Sequence, residues 1–357
     1  MTSLRGATWV ASLPSPKDKA KPLAVIFGCS GLTLTDAERA FFTKTNPLGF
    51  ILFQRNCETR TQVKKLVSDL RACVGHAAAP VLIDQEGGRV ARLKPPHWPA
   101  FPPAKAYADL FAQDQEKGVE AAYLGGRLIA YELAQLGITV DCAPVLDVLQ
   151  SGADPIIGDR AFGPDVTTIV RTAKAFTDGL MAGGITAVIK HVPGHGRALI
   201  DSHKDLPRVD ASVADLQDTD FAPFKALHMA PWAMTAHVVY EALDADHPAT
   251  TSVPVIEDVI RRHIGFRGLL LSDDLSMKAL SGGFEDRARA CLEAGCDVAL
   301  HCNGDMDEMR QVARGAFPMT RASWARYKMS ELQCASATRP EFNAKTARKR
   351  FDELLGA

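Results

Sequence analysis

Short apolar runs alternate with amphipathic stretches along most of this 357-residue chain. The runs that read as buried strands are Leu23–Phe27, Gly49–Phe53, Val81–Ile83, Thr139–Cys142, Thr186–Ile189, Trp232–Thr235, Leu269–Leu271 and Val298–His301. Between them, helical spacing of apolar positions predicts helices such as Arg60–Cys73, Gly118–Leu136, Val166–Met181, Val213–Leu227, Val255–His263 and Glu285–Ala294. About eight strand–helix units in succession match the count of a (β/α)8 barrel. Near-continuous apolar strands suit a parallel sheet covered on both faces. The reading is an α/β fold: one TIM-barrel domain, with its core over about residues 20–305 and a charged helical tail over about 306–357 packed outside. A doubly wound sheet is the competing arrangement. The turn after the first run, FGCSGLTLT, lacks the G-x-G-x-x-G spacing that such a sheet often carries there.

Composition narrows the partners. With 41 basic and 42 acidic residues the formal net charge is -1, so neither nucleic acid nor an anionic membrane is expected as the main partner. The apolar patch Ala7–Leu13 is short and is followed by a charged stretch, a poor secretory signal, and no uncharged stretch is long enough to span a bilayer. A cytoplasmic location is expected. The eight cysteines form no C-x-x-C pair and no zinc-like spacing, and read as reduced core thiols.

The chemistry concentrates where a barrel keeps its active site, just past the strands. Asp84 follows the third run and Asp147 lies shortly past the fourth. Lys190 and His191 follow the fifth, His237 the sixth, and Asp273 and Asp274 the seventh. Charged groups abutting apolar runs are costly to bury without partners, so their recurrence at one end of the strands outlines a polar mouth. The densest segment is Lys190–Pro207, KHVPGHGRALIDSHKDLP. Within it Asp201 and His203 are two apart, close enough for a carboxylate to orient an imidazole. The bland alternative is an Asx-turn carrying an exposed histidine. His191, His195 and His203 could also ligate a metal, although no H-E-x-x-H spacing and no cysteine joins them. In LLLSDDLSM, alternation sends Asp273 and Asp274 to opposite sides if the strand runs that far. One of the two is then a nucleophile candidate and the other a cap for the following helix. DQEGGRVAR, with Asp84 and Arg92, and IGDRAFGPD, with Arg160, add acceptors and donors suited to a polyhydroxylated ligand.

Taken together, GFILFQRN, IDQEGGRVAR, DCAPVLDV, IGDRAFG, KHVPGHG, DSHKDLP, MTAHVVY and LSDDLSM resemble the family 3 glycoside hydrolases. The resemblance is to the single-domain bacterial β-N-acetylglucosaminidases of peptidoglycan recycling. One departure is Val192, where the family pattern usually has phenylalanine. The resemblance implies Asp273 as nucleophile, His203 as general acid/base and Asp201 as its partner. It implies that Asp84, Arg92, Arg160, Lys190 and His191 hold the N-acetylglucosamine, and that the substrate is a small sugar, a muropeptide fragment ending in a 1,6-anhydro-muramoyl unit. No cofactor and no metal are expected. Asp201 and His203 sit on a glycine-containing loop, which is expected to move as sugar binds. Three rivals stand beside this reading: a phosphorylase using the same site, a metal-dependent hydrolase and a catalytically silent sugar-binding barrel.

Overall fold

The computed structural model describes residues 21–76 and 78–356; the apolar patch Ala7–Leu13 lies outside them. Eight parallel strands close on themselves. In chain order they are β1 (Leu23–Phe27), β2 (Pro47–Leu52), β3 (Val81–Ile83), β4 (Val140–Asp141), β5 (Thr186–Val192), β6 (Trp232–Thr235), β7 (Leu269–Asp274) and β8 (Val298–His301). Closure comes from β8 pairing with β1, Val25 opposite Ala299 and Phe27 opposite His301. Full closure removes both sheet edges. Strand residues are almost entirely buried, which accounts for their unbroken apolar character. The chain is thus the expected α/β TIM barrel.

Several element bounds differ from the sequence reading, each for a physical reason. β5 runs through Lys190, His191 and Val192, because these polar groups find buried partners at the barrel mouth and need not end the strand. β7 likewise continues to Asp274, with a register irregularity after Leu271. The single helix expected over Val213–Leu227 is two short helices, Val213–Asp218 and Ala222–Ala226. Pro223, which has no N–H to donate, opens the second of them. Val255–His263 is a wide helix in which, for example, the Ile264 N–H reaches back to Val259 at 2.8 Å. Helices Asp36–Thr45 and Lys105–Gln113 were absent from the sequence reading.

The tail forms helices Met306–Gly315, Arg321–Ser336 and Ala344–Leu355. Phe351 of the last packs edge-on to Phe101 and at a tilt against Tyr107 on the outer layer of the barrel. All eight cysteines are buried free thiols, and burial pushes those of Cys29, Cys57 and Cys291 up to about 12. Among the described residues no helix is long and apolar enough to cross a membrane.

Candidate active site

At the C-terminal mouth of the barrel a cavity of about 200 Å³ is walled by groups from six strand ends. β3 opens it. After Ile83 the chain doubles back as a small antiparallel ribbon, Gln85–Gly87 against Val90–Ala91. The Gln85 side chain, accepting the N–H groups of Arg92 and Leu93 at 2.9 and 3.0 Å, holds the ribbon closed. Gly87 turns it at φ 99°, a left-handed conformation, and a Cβ there would lie 2.2 Å from the Pro102 carbonyl. The result brings Arg92 back onto Asp84 at 3.0 Å.

From across the barrel, Lys190 reaches the same carboxylate at 2.9 Å and Glu86 at 2.6 Å. Arg160, from the loop after β4, grips Glu86 through two contacts of 2.8 Å. Three cations and two carboxylates are therefore interleaved in a nearly closed collar. Burial alone would push the Glu86 carboxyl up, but Arg160 and Lys190 hold it at about 2. Burial is likewise outweighed at Asp84, where Lys190 and Arg92 keep the carboxyl well below its ordinary range. Beneath the collar, Asp141 accepts the Gln85 N–H at 2.9 Å, and burial raises its carboxyl well above the ordinary value.

Asp147 is a second anchor. It is fully buried and accepts three N–H groups: the backbone N–H of His191 at 3.2 Å, that of His195 at 2.7 Å, and ring Nδ1 of His191 at 2.7 Å. Nδ1 of His191 is thereby the donor, leaving Nε2 for the cavity. The Lys190–His191 and Val192–Pro193 peptides are both cis.

Asp273 and Asp274 divide as alternation requires. The Asp274 carboxylate is consumed internally, accepting from Ser276 N–H at 3.0 Å, the Ser276 hydroxyl at 2.6 Å and Cys302 N–H at 3.1 Å. It fastens a turn rather than capping the next helix, which begins only at Phe284. Asp273 accepts one backbone N–H, from Asp274 at 2.8 Å. Burial would raise its carboxyl, yet His237, His191, that N–H and His203 together keep it below the ordinary value. It is an ionised acceptor facing the cavity. His237, buried just past β6, has its imidazole lowered by burial, against the opposing pull of Asp273, and contacts Thr250 Oγ1 at 2.7 Å through Nδ1. Its Nε2–H donates to the Asp274 carbonyl at 3.1 Å, supporting the backbone that carries both aspartates.

The loop after β5 carries the remaining pair. One oxygen of Asp201 accepts both the backbone N–H of His203, at 2.9 Å, and its ring Nδ1, at 2.8 Å. The Asx-turn and the carboxylate–imidazole dyad are thus the same structure. His203 lines the cavity although its side chain remains 63% exposed, while Asp201 sits behind it, outside the wall. Asp84, Arg92, Arg160, Lys190, His191, His203 and Asp273 all converge on this one space. Glu86, the hub of the collar, was missed as an individual in the sequence; its place two residues after Asp84 in the ribbon was the available signal. His195 lines the cavity as well, but its Nε2 is engaged with Ser202 at 3.2 Å. Among the described residues no cluster of three or more metal-ligating side chains forms.

A closed parallel barrel with carboxylates, imidazoles and a charged collar gathered at its C-terminal mouth defines the class: a barrel enzyme. Residues 17–326 match the glycosyl hydrolase family 3 N-terminal domain. The β-hexosaminidase of Thiobacillus denitrificans is 34% identical over 332 residues, spanning 91% of this chain and 90% of that protein. That of Methylococcus capsulatus is 38% identical over 282 residues, spanning 78% of this chain and 82% of its own length. Among solved structures, NagZ from Neisseria gonorrhoeae in complex with N-trifluoroacetyl-D-glucosamine superimposes with a TM-score of 0.84 at 31% identity, covering 94% of this chain and 99% of that one. The chain belongs to glycosyl hydrolase family 3 and is a glycosidase of the β-hexosaminidase type.

Proposed function

We propose that this enzyme removes terminal, non-reducing β-linked N-acetylglucosamine from peptidoglycan-derived fragments by retaining double displacement. The observation that carries the reading is the convergence of ionised Asp273 and the Asp201–His203 dyad on one cavity beside the charged collar. Asp84, Arg92, Arg160, Lys190 and His191 hold the sugar. A cavity of about 200 Å³ is smaller than the ~300–1,000 Å³ typical of ligand sites and suits one monosaccharide, hence release from a chain end.

In the first step an oxygen of Asp273 attacks the anomeric carbon, and the glycosidic C–O bond breaks. His203 Nε2–H gives its proton to the departing oxygen, leaving a glycosyl ester and a neutral imidazole. Asp201, accepting from Nδ1, orients the ring and fixes which nitrogen faces the sugar. In the second step His203 takes a proton from water as its oxygen attacks the same carbon. The ester bond breaks, the sugar leaves with its anomeric configuration retained, and Asp273 is regenerated as a carboxylate. The aglycone assigned is the 1,6-anhydro-muramoyl unit, with or without peptide, as the family resemblance implies.

The test is hydrolysis of a panel of aryl β-glycosides with and without the 2-acetamido group, for parent and Asp273→Ala. Turnover confined to N-acetylhexosaminides and abolished in the variant supports the assignment; near-normal turnover of the variant rejects Asp273 as nucleophile.

A further inference from the structure

Ser202 sits between the two members of the dyad, and the mechanism above gives it no task. It is 4% exposed, whereas the His203 side chain beside it is 63% exposed. Its hydroxyl lies 3.2 Å from Nε2 of His195, and its carbonyl accepts the Ala279 N–H at 3.2 Å. Ser202 thus touches the base of its own loop and also the loop after β7, the strand that carries Asp273.

The far side of this contact is rigid. His195 is 4% exposed, and its backbone N–H is fixed on buried Asp147 at 2.7 Å. Its ring packs edge-on to that of His191, with centroids 5.7 Å apart. The next residue, Gly196, lies so close to Val148 that a Cβ would fall 1.9 Å from the Val148 carbonyl oxygen. On the preceding side, the Tyr240 hydroxyl donates to the Gly194 carbonyl. By contrast, Leu199 and Ile200, just before the dyad, are 66% and 44% exposed. Between Ala198 and Leu206 the dyad segment offers one buried polar side chain, that of Ser202.

We infer that Ser202 is a positioning residue for the glycosidase reaction: its hydroxyl, docked on His195, fastens the Asp201–His203 dyad over the cavity that contains Asp273. The inference rests on the dyad reading proposed above. Burial holds the His195 imidazole at about 4, so near neutral pH it is uncharged and one ring nitrogen is free to accept the serine proton. Nδ1 of His195 is buried without a partner among the described residues, which fits a ring whose orientation is set by Nε2. Ser202 is thus the most buried of the three, beside Asp201 at 13% and His203 at 63% side-chain exposure. Loss of the fastening leaves the dyad's chemistry intact and lowers the fraction of time it stands over the sugar. Proton donation should suffer first, because an activated leaving group departs without it.

The experiment compares Ser202→Ala, Ser202→Thr and His203→Ala on two substrates, an aryl β-N-acetylglucosaminide with an activated leaving group and a β-N-acetylglucosaminyl disaccharide. Tryptic cleavage after Arg197 and Lys204, which bracket Ser202, is followed by mass spectrometry in parallel. For Ser202→Ala the expected result is a ten- to hundredfold loss of kcat/KM on the disaccharide, at most a threefold loss on the activated substrate, and faster cleavage at Lys204. Inhibition by free N-acetylglucosamine should change less than threefold, and Ser202→Thr should recover most of the disaccharide activity. Equal losses on both substrates, or no loss on either, overturn the inference while the leaving-group dependence of His203→Ala keeps the dyad. If His203→Ala itself shows no leaving-group dependence, the dyad reading falls and the inference falls with it. Should Ser202→Ala not fold, Ser202→Thr still decides: unchanged cleavage at Lys204 with disaccharide activity reduced as much as aryl activity counts against the fastening.

Discussion

Replacing Glu86 with glutamine removes one charge from the collar and almost no volume. In the parent, Glu86 meets Arg160 twice at 2.8 Å and Lys190 at 2.6 Å, with side-chain exposures of 5%, 10% and 3% for the three groups. Lys190 keeps Asp84 in the variant, but Arg160 keeps only the Ile156 carbonyl at 3.2 Å. A buried cation left without its anion costs ~3–5 kcal/mol when the partner is deleted outright. Glutamine retains one acceptor oxygen, and a hydrogen bond to a charged group returns ~1.5–3 kcal/mol. The expected net loss is therefore about 2 kcal/mol. With a urea slope of roughly 3 kcal/mol per molar, that is a midpoint shift of roughly 0.7 M. Activity should fall too, since Arg160 and Lys190 are the proposed sugar contacts. A loss of ~1.4 kcal/mol in binding raises KM about tenfold. Urea unfolding read by intrinsic fluorescence, with aryl-glycoside kinetics on the same preparation, measures both. A variant within ~0.5 kcal/mol of the parent and with unchanged KM would refute the view that the collar is held together through Glu86.

Four further outcomes are expected. Glu86 is held at about 2 in the folded chain against an ordinary 4.5, so its contribution to stability is fully present above pH 4.5 and is lost as pH falls toward 2; Glu86→Gln should flatten the acid limb of the stability profile in that window, and parallel limbs would count against it. His203→Ala should lose far more rate on a disaccharide than on an activated aryl glycoside, and pre-steady-state kinetics of the glycosylation step will detect equal losses if the acid role is misplaced. Asp147→Asn leaves the Nδ1–H of His191 and two backbone N–H groups competing for a single neutral acceptor, so KM should rise about tenfold or more; a KM within twofold of the parent argues that His191 needs no such anchor. Turnover should yield free sugar, not sugar 1-phosphate, in phosphate buffer, and the rate should survive exhaustive chelation; phosphorolysis products or loss of rate on chelation would restore the rival readings.

The barrel was legible because its strands are buried on both faces and so read as short unbroken apolar runs, from Leu23–Phe27 to Val298–His301. The site was legible because the polar groups follow those runs directly. What single residues could not reveal was the distribution of partners. Asp273 and Asp274 are equivalent in sequence; only the contacts of Asp274 with Ser276 and Cys302 leave Asp273 to face the cavity. Glu86 looked like one acid among several until the ribbon folded it between Arg160 and Lys190. Strand ends were placed short at Ile189 and Leu271 because charge normally stops a buried strand, and here Lys190 and His191 meet Asp84, Glu86 and Asp147 from distant segments, while Asp274 is held by Ser276 and by the Cys302 N–H. Long-range pairing of this kind leaves no local trace. The break at Pro223 did leave one, and the apolar periodicity across it outweighed that signal in the reading of a single helix.

The proposed mechanism passes through a covalent glycosyl–enzyme ester on Asp273. It is tested most directly by quenching the enzyme during turnover of a substrate whose deglycosylation is slowed, digesting it, and locating the adduct by mass spectrometry. One N-acetylhexosaminyl group is expected on the peptide carrying Asp273, together with a first-formed product of β configuration. No adduct, an adduct on another residue, or an α-configured first product would contradict it.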